Sequence, residues 1–308
     1  MSEIVIAKHA GFCPGVRRAT EAVEAVLCES PAPKRVLTLG ELIHNPVYLG
    51  ELAARGVLST DEDGAARAAA ESDTLGRTVL FFRTHGVSRA TEERMRALCE
   101  SHPNFEVRDL TCPFVKRVHT IAEEAEGAFC LFGKDGHPEV MGTVDRTKHP
   151  TILFERAEEL EERLLGIENA DFGITMAAQT TMGEEEWKKS KKFLKKLYTN
   201  PKIFDTICNV TKNRQEEAAR LAAMADVTIV IGGRTSSNTK ELYNIAAAHC
   251  PDTRLIERAE ELAPPPAQDI TVAITAGAST PDGLIMEVYK KWTKPEASPK
   301  CWKKHSKL

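Results

Sequence analysis

Three cysteines stand at near-equal intervals along this chain: Cys13, Cys112 and Cys208, 99 and 96 residues apart. Each follows a short apolar run and opens a helical pattern: Gly11-Phe12-Cys13-Pro14-Gly15-Val16, Thr111-Cys112-Pro113-Phe114-Val115 and Ile207-Cys208-Asn209-Val210-Thr211. Three thiolates brought together from equivalent positions would bind a soft metal, either zinc or an iron–sulfur cluster. No fourth cysteine shares the register, so a closed zinc site would lack a ligand. A 4Fe–4S cube held by three cysteines keeps one iron open, a Lewis acid that can also deliver electrons. Placement at helix N-termini helps, because the macrodipole favours thiolate over thiol. The pattern favours the cluster and keeps zinc as the alternative. The other cysteines (28, 99, 130, 250 and 301) read as small apolar residues, and no CxxC pair is present.

Six polar loops share the same threefold register. After apolar runs ending in glycine come His44-Asn45, His137-Pro138-Glu139 and Ser236-Ser237-Asn238. After later apolar runs come Thr84-His85-Gly86, Gln179-Thr180-Thr181 and Gly277-Ala278-Ser279. His44, His85, His137, Ser236, Ser237, Asn238 and Ser279 are donors suited to phosphate oxygens. Glu139 is the one carboxylate inside these motifs, which suits a general acid or proton relay. Neither a P-loop nor a GxGxxG fingerprint occurs, so a nucleotide held that way is not indicated. The remaining histidines, His119 among them, read as structural.

Short β-rich runs alternating with helical patterns predict parallel α/β units, which bind ligands beyond the carboxyl ends of their strands. All three cysteines and all six loops fall at those ends. The expected architecture is three small parallel-sheet α/β domains, residues 1–110, 111–204 and 205–288, around one central cleft. A basic tail, 289–308, follows. A length of 308 residues suits several small domains. The net charge of −4 lacks the footprint of a nucleic-acid binder. With no apolar run near the roughly 20 residues that span a bilayer and no signal-peptide pattern, the chain reads as soluble and cytoplasmic, with no membrane or nucleic-acid partner.

Taken in order, nine motifs resemble the hydroxymethylbutenyl diphosphate reductase family, the last step of the methylerythritol phosphate route to isoprenoids. Besides those above they include Gly136-His137-Pro138-Glu139-Val140, Cys208-Asn209-Val210-Thr211 with Asn213-Arg214-Gln215, and Thr275-Ala276-Gly277-Ala278-Ser279. The resemblance runs from about residue 3 to about residue 288. It implies a pseudo-threefold trefoil of α/β domains around a central 4Fe–4S cluster held by Cys13, Cys112 and Cys208, with one open iron. It also implies two-electron reductive dehydroxylation of (E)-4-hydroxy-3-methylbut-2-enyl diphosphate to isopentenyl and dimethylallyl diphosphates, the substrate hydroxyl sitting at the open iron. On the same footing, His44, His85, His137, Thr180, Ser236, Ser237, Asn238 and Ser279 would bind substrate. Glu139 and Thr180 would pass a proton, and ferredoxin or flavodoxin would supply electrons.

Two departures from the family pattern are small. Pro14 stands where a small or apolar residue is common, and proline suits the first turn of a helix. Ala178 replaces a hydroxyl residue. The tail beyond Trp292 (Lys294, Lys300, Lys303, Lys304, Lys307) lies outside the match and reads as a disordered solubilising segment, docking of an acidic electron carrier being the sharper alternative. The lysines from 188 to 196 read as a solvated helix face. Three rival functions remain: a 4Fe–4S Lewis-acid dehydratase of a small phosphorylated substrate, which consumes no electrons; an iron–sulfur sensor, which has no use for Glu139; and a zinc phosphohydrolase, which metal analysis separates.

Overall fold

Apolar runs of four to six residues rich in Val, Ile, Leu and Phe form the strands, and the 3.6-residue patterns between them form the crossover helices that parallel strands require. The computed structural model describes residues 3–165, 173–263, 269–293 and 300–301. The first stretch reads β1 (Glu3–Ile6), α1 (Pro14–Leu27), β2 (Arg35–Leu39), α2 (Pro46–Ala54), β3 (Val57–Thr60), α3 (Glu62–Leu75), β4 (Thr78–Phe82), α4 (Arg89–Ser101) and β5 (Phe105–Asp109). Next come α5 (Pro113–Glu123), β6 (Ala128–Phe132), α6 (Pro138–Val144), β7 (Thr151–Phe154), α7 (Ala157–Leu165), β8 (Ile174–Ala178), α8 (Glu184–Leu197) and β9 (Lys202–Ile203). The last stretch holds α9 (Asn209–Ala222), β10 (Val227–Ile231), α10 (Ser237–His249), β11 (Thr253–Ile256), β12 (Thr271–Ala276), α11 (Asp282–Trp292) and β13 (Lys300–Cys301).

Three all-parallel sheets result, ordered β3-β2-β4-β5, β7-β6-β8-β9 and β11-β10-β12-β1-β13. The first four positions of each follow one plan. Even single hydrogen bonds repeat: Gly40, Gly133 and Gly232 each donate N–H to the end of the neighbouring strand, at Thr60, Phe154 and Ile256, all at 2.9 Å. The central strands β4, β8 and β10 are buried at every position, as sheets covered on both faces demand.

The plan changes what the first expected segment contains. The strand before each cysteine does not open a new sheet; it completes the preceding one, as β5 and β9 do. Strand β1 pairs in parallel with β12, Ile4 opposite Val272 and Ile6 opposite Ile274. The first strand of the segment 1–110 therefore belongs to the C-terminal sheet, because an apolar strand such as Ile4-Val5-Ile6 must satisfy its backbone groups in a buried ladder. Accordingly, one compact unit comprises Met1–Arg17, His44–Glu51 and Asn209–Leu308, and holds the five-stranded sheet. The other comprises Arg18–Ile43 and Leu52–Cys208, and holds both four-stranded sheets. In the first, Ile229, Val272 and Ile274 pack with Val288 and Trp292. In the second, Trp187 lies stacked on Phe132, centroids 5.9 Å apart, among Phe154, Leu160 and Leu194.

Of the tail expected to be disordered, Lys300–Cys301 pairs in parallel with Val5–Ile6; the rest from Lys294 lies outside the described residues. No described helix is long and apolar enough to cross a membrane.

Candidate active site

In each sheet the candidate loops follow the two adjacent central strands: β2 and β4, β6 and β8, β10 and β12. The connection after the first of each pair runs to one side of the sheet and that after the second to the other. This is the switch point at which open α/β sheets leave a crevice.

Each cysteine is the residue before a helix. Cys13 precedes α1, Cys112 precedes α5 and Cys208 precedes α9. Their backbone N–H groups are held identically. Cys13 donates to the carbonyl of Ala278 at 3.1 Å, Cys112 to Thr84 at 3.0 Å and Cys208 to Thr180 at 3.0 Å. Each acceptor lies two residues beyond the end of β12, β4 or β8. All three side chains are half-buried and in no disulfide, and Val16 N–H points at Cys13 Sγ over 3.4 Å. Cys130 differs: it lies fully buried inside β6, where loss of hydration pushes its thiol up to about 12. Cys250 is buried too, with its sulfur against the carbonyls of Ala225, Asp226 and Asp252.

Several supports of the cysteine loops escape sequence reasoning, because a charged helix residue reads as surface. Arg18 reaches back to the carbonyls of Leu110 (3.0 Å) and Thr111 (2.7 Å), just before Cys112. Arg214, quoted in a motif but given no role, is buried and holds the carbonyls of Gly11 and Ala276. Glu217 accepts from the backbone of Lys8 and His9 at 2.9 and 2.8 Å, fixing the turn between β1 and Cys13. Burial alone would raise its pKa; the hydrogen bonds from His9 and Lys8 outweigh that and hold it below the usual carboxylate range.

Within the second unit, His137 caps α6: its Nδ1 accepts from Glu139 N–H at 3.1 Å, which leaves the proton of the neutral ring on Nε2. The His85 ring meets His137 edge-to-face, centroids 5.5 Å apart. Glu139 is 1 % exposed, and both carboxylate oxygens engage Thr180: Oε1 accepts its N–H at 2.7 Å and Oε2 its hydroxyl at 3.0 Å. Burial raises the Glu139 pKa to about 7, and the two Thr180 bonds hold it from rising further. A carboxyl group that titrates near neutrality can give up a proton at working pH. The structure thus joins Glu139, Thr180 and the Cys208 backbone in one chain of hydrogen bonds.

Behind these loops sits His119, two helical turns beyond Cys112. A Cβ on Gly86 would lie 2.6 Å from its Cε1, and one on Gly142 would lie 3.5 Å from its Nε2. Burial first, then the charge of Arg146, lowers its pKa to about 4, so the ring is a neutral wedge between the His85 loop and α6.

Within the first unit, Asn45 and Ser236 cap α2 and α10, accepting from Tyr48 N–H at 3.0 Å and Thr239 N–H at 3.3 Å. Gly233 lets the Ser236 loop approach the His44 carbonyl, which would lie 2.8 Å from a Cβ at that position. The loops after β10 and β12 close on Thr239, since Cβ atoms on Gly232 and Gly277 would lie 2.6 and 2.3 Å from its Oγ1. Ser237 and Ser279 are half-buried. Asn238 is 5 % exposed, and among the described residues neither its Oδ1 nor its Nδ2 has a hydrogen-bond partner. Such an amide is costly in a finished core and expected where a polar ligand docks.

A family model described as LytB protein matches residues 4–293. The 4-hydroxy-3-methylbut-2-enyl diphosphate reductase of Caldanaerobacter subterraneus subsp. tengcongensis is 38% identical over 294 residues, covering 94% of this chain and 96% of that protein. Its namesake from Aquifex aeolicus is 39% identical over 295 residues, covering 94% and 95%. A solved structure titled as (E)-4-hydroxy-3-methyl-but-2-enyl diphosphate reductase, the terminal enzyme of the non-mevalonate pathway, superposes with TM-score 0.65 at 36% identity, over 94% of this chain and 99% of that one. The reductase structure from Plasmodium falciparum reaches TM-score 0.80 at 23% identity, over 96% and 89%, a likeness of fold.

Proposed function

This chain belongs to the LytB protein family, and from that premise we propose that it reduces (E)-4-hydroxy-3-methylbut-2-enyl diphosphate to isopentenyl and dimethylallyl diphosphates. The reaction breaks the allylic C–O bond and forms a C–H bond. It takes up two electrons and two protons and releases water. The observation that carries the reading is the Glu139–Thr180 pair: a buried carboxyl poised near neutral pH with a hydroxyl beside it.

The three cysteines fit a 4Fe–4S cluster. They are soft donors, half-buried and outside any disulfide, held by one repeated backbone contact, with no fourth cysteine at an equivalent place among the described residues. When bound, such a cluster supplies Lewis acidity and one-electron transfer. The protein's own residues do the rest. His44, His85, His137, Ser236, Ser237, Asn238 and Ser279 bind the diphosphate, whose remote binding energy orients the reacting end. The unpartnered amide of Asn238 supports that assignment. Hydroxide is a poor leaving group, so the departing oxygen needs a proton. Glu139 holds one, and Thr180 Oγ1 is placed to pass it on. An external one-electron carrier of the ferredoxin or flavodoxin kind supplies the electrons.

Metal content tests the ligand set without relying on turnover. In anaerobically purified protein, replacing Cys13, Cys112 or Cys208 by Ser removes iron and visible absorbance, while Cys250→Ser keeps both. Full iron retained in any of the first three, or zinc in the parent protein, overturns the assignment.

A further inference from the structure

Helix α8 is divided by charge. Its first turn holds Glu184, Glu185 and Glu186; from Lys188 onward it carries six lysines and no carboxylate, in a chain whose net charge is −4. At about 100° per residue those lysines (188, 189, 191, 192, 195 and 196) fall within an arc of roughly 160°. Trp187, Ser190 and Leu194 form the buried face. Three of the lysines are neutralised: Lys188 by Glu185 at 2.9 Å, Lys189 by Glu186 at 3.1 Å and Lys191 by Asp205 at 2.6 Å. The acidic helix α7 packs alongside, and its Glu158 acts on Lys189. Lys192, Lys195 and Lys196 are exposed and have no carboxylate partner among the described residues. Leu197, 44 % exposed, adds an apolar rim.

What lies behind this face separates it from an ordinary solvated helix. Lys191 Nζ and the indole N–H of Trp187 both bind Asp205 Oδ1 at 2.6 Å. Asp205 opens the segment Asp205-Thr206-Ile207-Cys208. Thr206 Oγ1 accepts from Ala178 N–H at 2.7 Å and donates to the Ala178 carbonyl at 2.6 Å, and Cys208 N–H is held on Thr180. A short stretch of chain, held by the Asp205 and Thr206 side chains and the Cys208 N–H, therefore runs from the lysine face to a proposed cluster ligand.

We propose that the Lys192–Lys195–Lys196 face of α8 is the docking surface for an acidic one-electron carrier protein, seated over the segment that leads through Asp205 and Thr206 to Cys208. The assignment rests on the reductase reading. Two reduced carriers each give one electron per substrate, and two protons complete the balance. Positive charge on the enzyme and negative charge on the carrier steer association and make it sensitive to salt.

The test uses cluster-loaded enzyme and an acidic 2Fe–2S ferredoxin. The triple variant Lys192→Glu/Lys195→Glu/Lys196→Glu is compared with the neutral Lys192→Ala/Lys195→Ala/Lys196→Ala. Measured quantities are Kd from titration of labelled ferredoxin, KM for reduced ferredoxin, and turnover with dithionite-reduced methyl viologen, which needs no docking site. We expect Kd and KM to rise about tenfold or more with reversal and less with neutralisation. The salt dependence should flatten, and viologen-driven turnover should stay at the parent level. Unchanged Kd and KM in both variants overturn the docking surface. Equal loss in the viologen assay also overturns it. Should the parent enzyme fail to reduce substrate with viologen, the reductase reading itself falls and takes the docking surface with it.

Discussion

Glu139→Gln separates chemistry from stability at one residue. Glutamine has nearly the same shape; its Oε1 can accept the Thr180 N–H and its Nε2 can donate to Thr180 Oγ1, so the local geometry is kept. What it cannot do is release a proton. General-acid catalysis contributes about 10²–10⁴ in rate, or about 2.7–5.4 kcal/mol of barrier, and that is the expected loss in kcat. Stability moves the other way. The folded-state pKa of Glu139, about 7, lies above the ordinary value of 4.5, because burial disfavours the carboxylate. A raised pKa means a contribution fully present below about pH 4.5 and lost as pH rises through about 7; it totals about 3 kcal/mol. Between about pH 5 and about pH 8 the parent protein should lose roughly 2.5 kcal/mol from this group alone, and the variant none of it. Thermal melting of substrate-free protein should therefore place the variant about 5 °C above the parent at about pH 8, the gap closing towards about pH 5. Viologen-driven turnover supplies the kinetic half of the assay. Activity within a factor of about ten of the parent, or a melting difference that does not grow with pH, refutes the reasoning.

Thr180→Val removes the hydroxyl that helps hold the Glu139 pKa down, so the alkaline limb of the pH–rate profile should shift to higher pH while kcat falls about tenfold; an unmoved limb counts against the pair. Asn238→Leu removes a buried amide that has no partner among the described residues and costs about 1–3 kcal/mol, so the substrate-free protein should melt no lower than the parent while KM for the diphosphate rises about tenfold or more. A lower melting temperature would show that the amide is bonded within the fold. Gly86 has φ of +78° and would drive a Cβ into His119, so Gly86→Ala should cost about 1–3 kcal/mol from the backbone alone, plus the clash. The double variant Gly86→Ala/His119→Ala should cost less than the sum of its parts; strict additivity would mean that the ring does not meet the loop.

The equivalent turns that carry the candidate residues were legible because they recur. The spacing of Cys13, Cys112 and Cys208, and the loops after glycine-ended apolar runs, mark equivalent turns even where side chains differ. The partner of β1 was not legible, since nothing local to Ile4-Val5-Ile6 points to a strand more than 260 residues away. Strand β3 escaped for a different reason: it is an edge strand with Leu58 exposed, and its apolar signal is too weak to read. Arg18, Arg214, Glu217 and His119 escaped because their work is internal hydrogen bonding or packing, which residue type and periodicity do not announce. Lys188–Lys196 were legible as a charged face, but their relation to Cys208 runs through Asp205 and emerges only from the folded chain.

One proton donor arises from three equivalent places. Glu139 lies two residues after the helix cap His137; the matching positions after Asn45 and Ser236 are Val47 and Asn238. Thr180, whose carbonyl holds the Cys208 N–H, corresponds to Thr84 and Ala278. An acid beside a hydroxyl therefore occurs in the second repeat alone. The first has a hydroxyl but no acid, and Thr84 Oγ1 turns instead to the Leu42 carbonyl at 3.0 Å. The third has an amide but no hydroxyl, and Asn238 has no hydrogen-bond partner among the described residues. The backbone plan that sets three sulfurs in like environments is thus retained, while substitutions at two positions per repeat break the symmetry of what surrounds them. Under the proposed function, that inequality is what a substrate with one reacting end and one anionic end would call for.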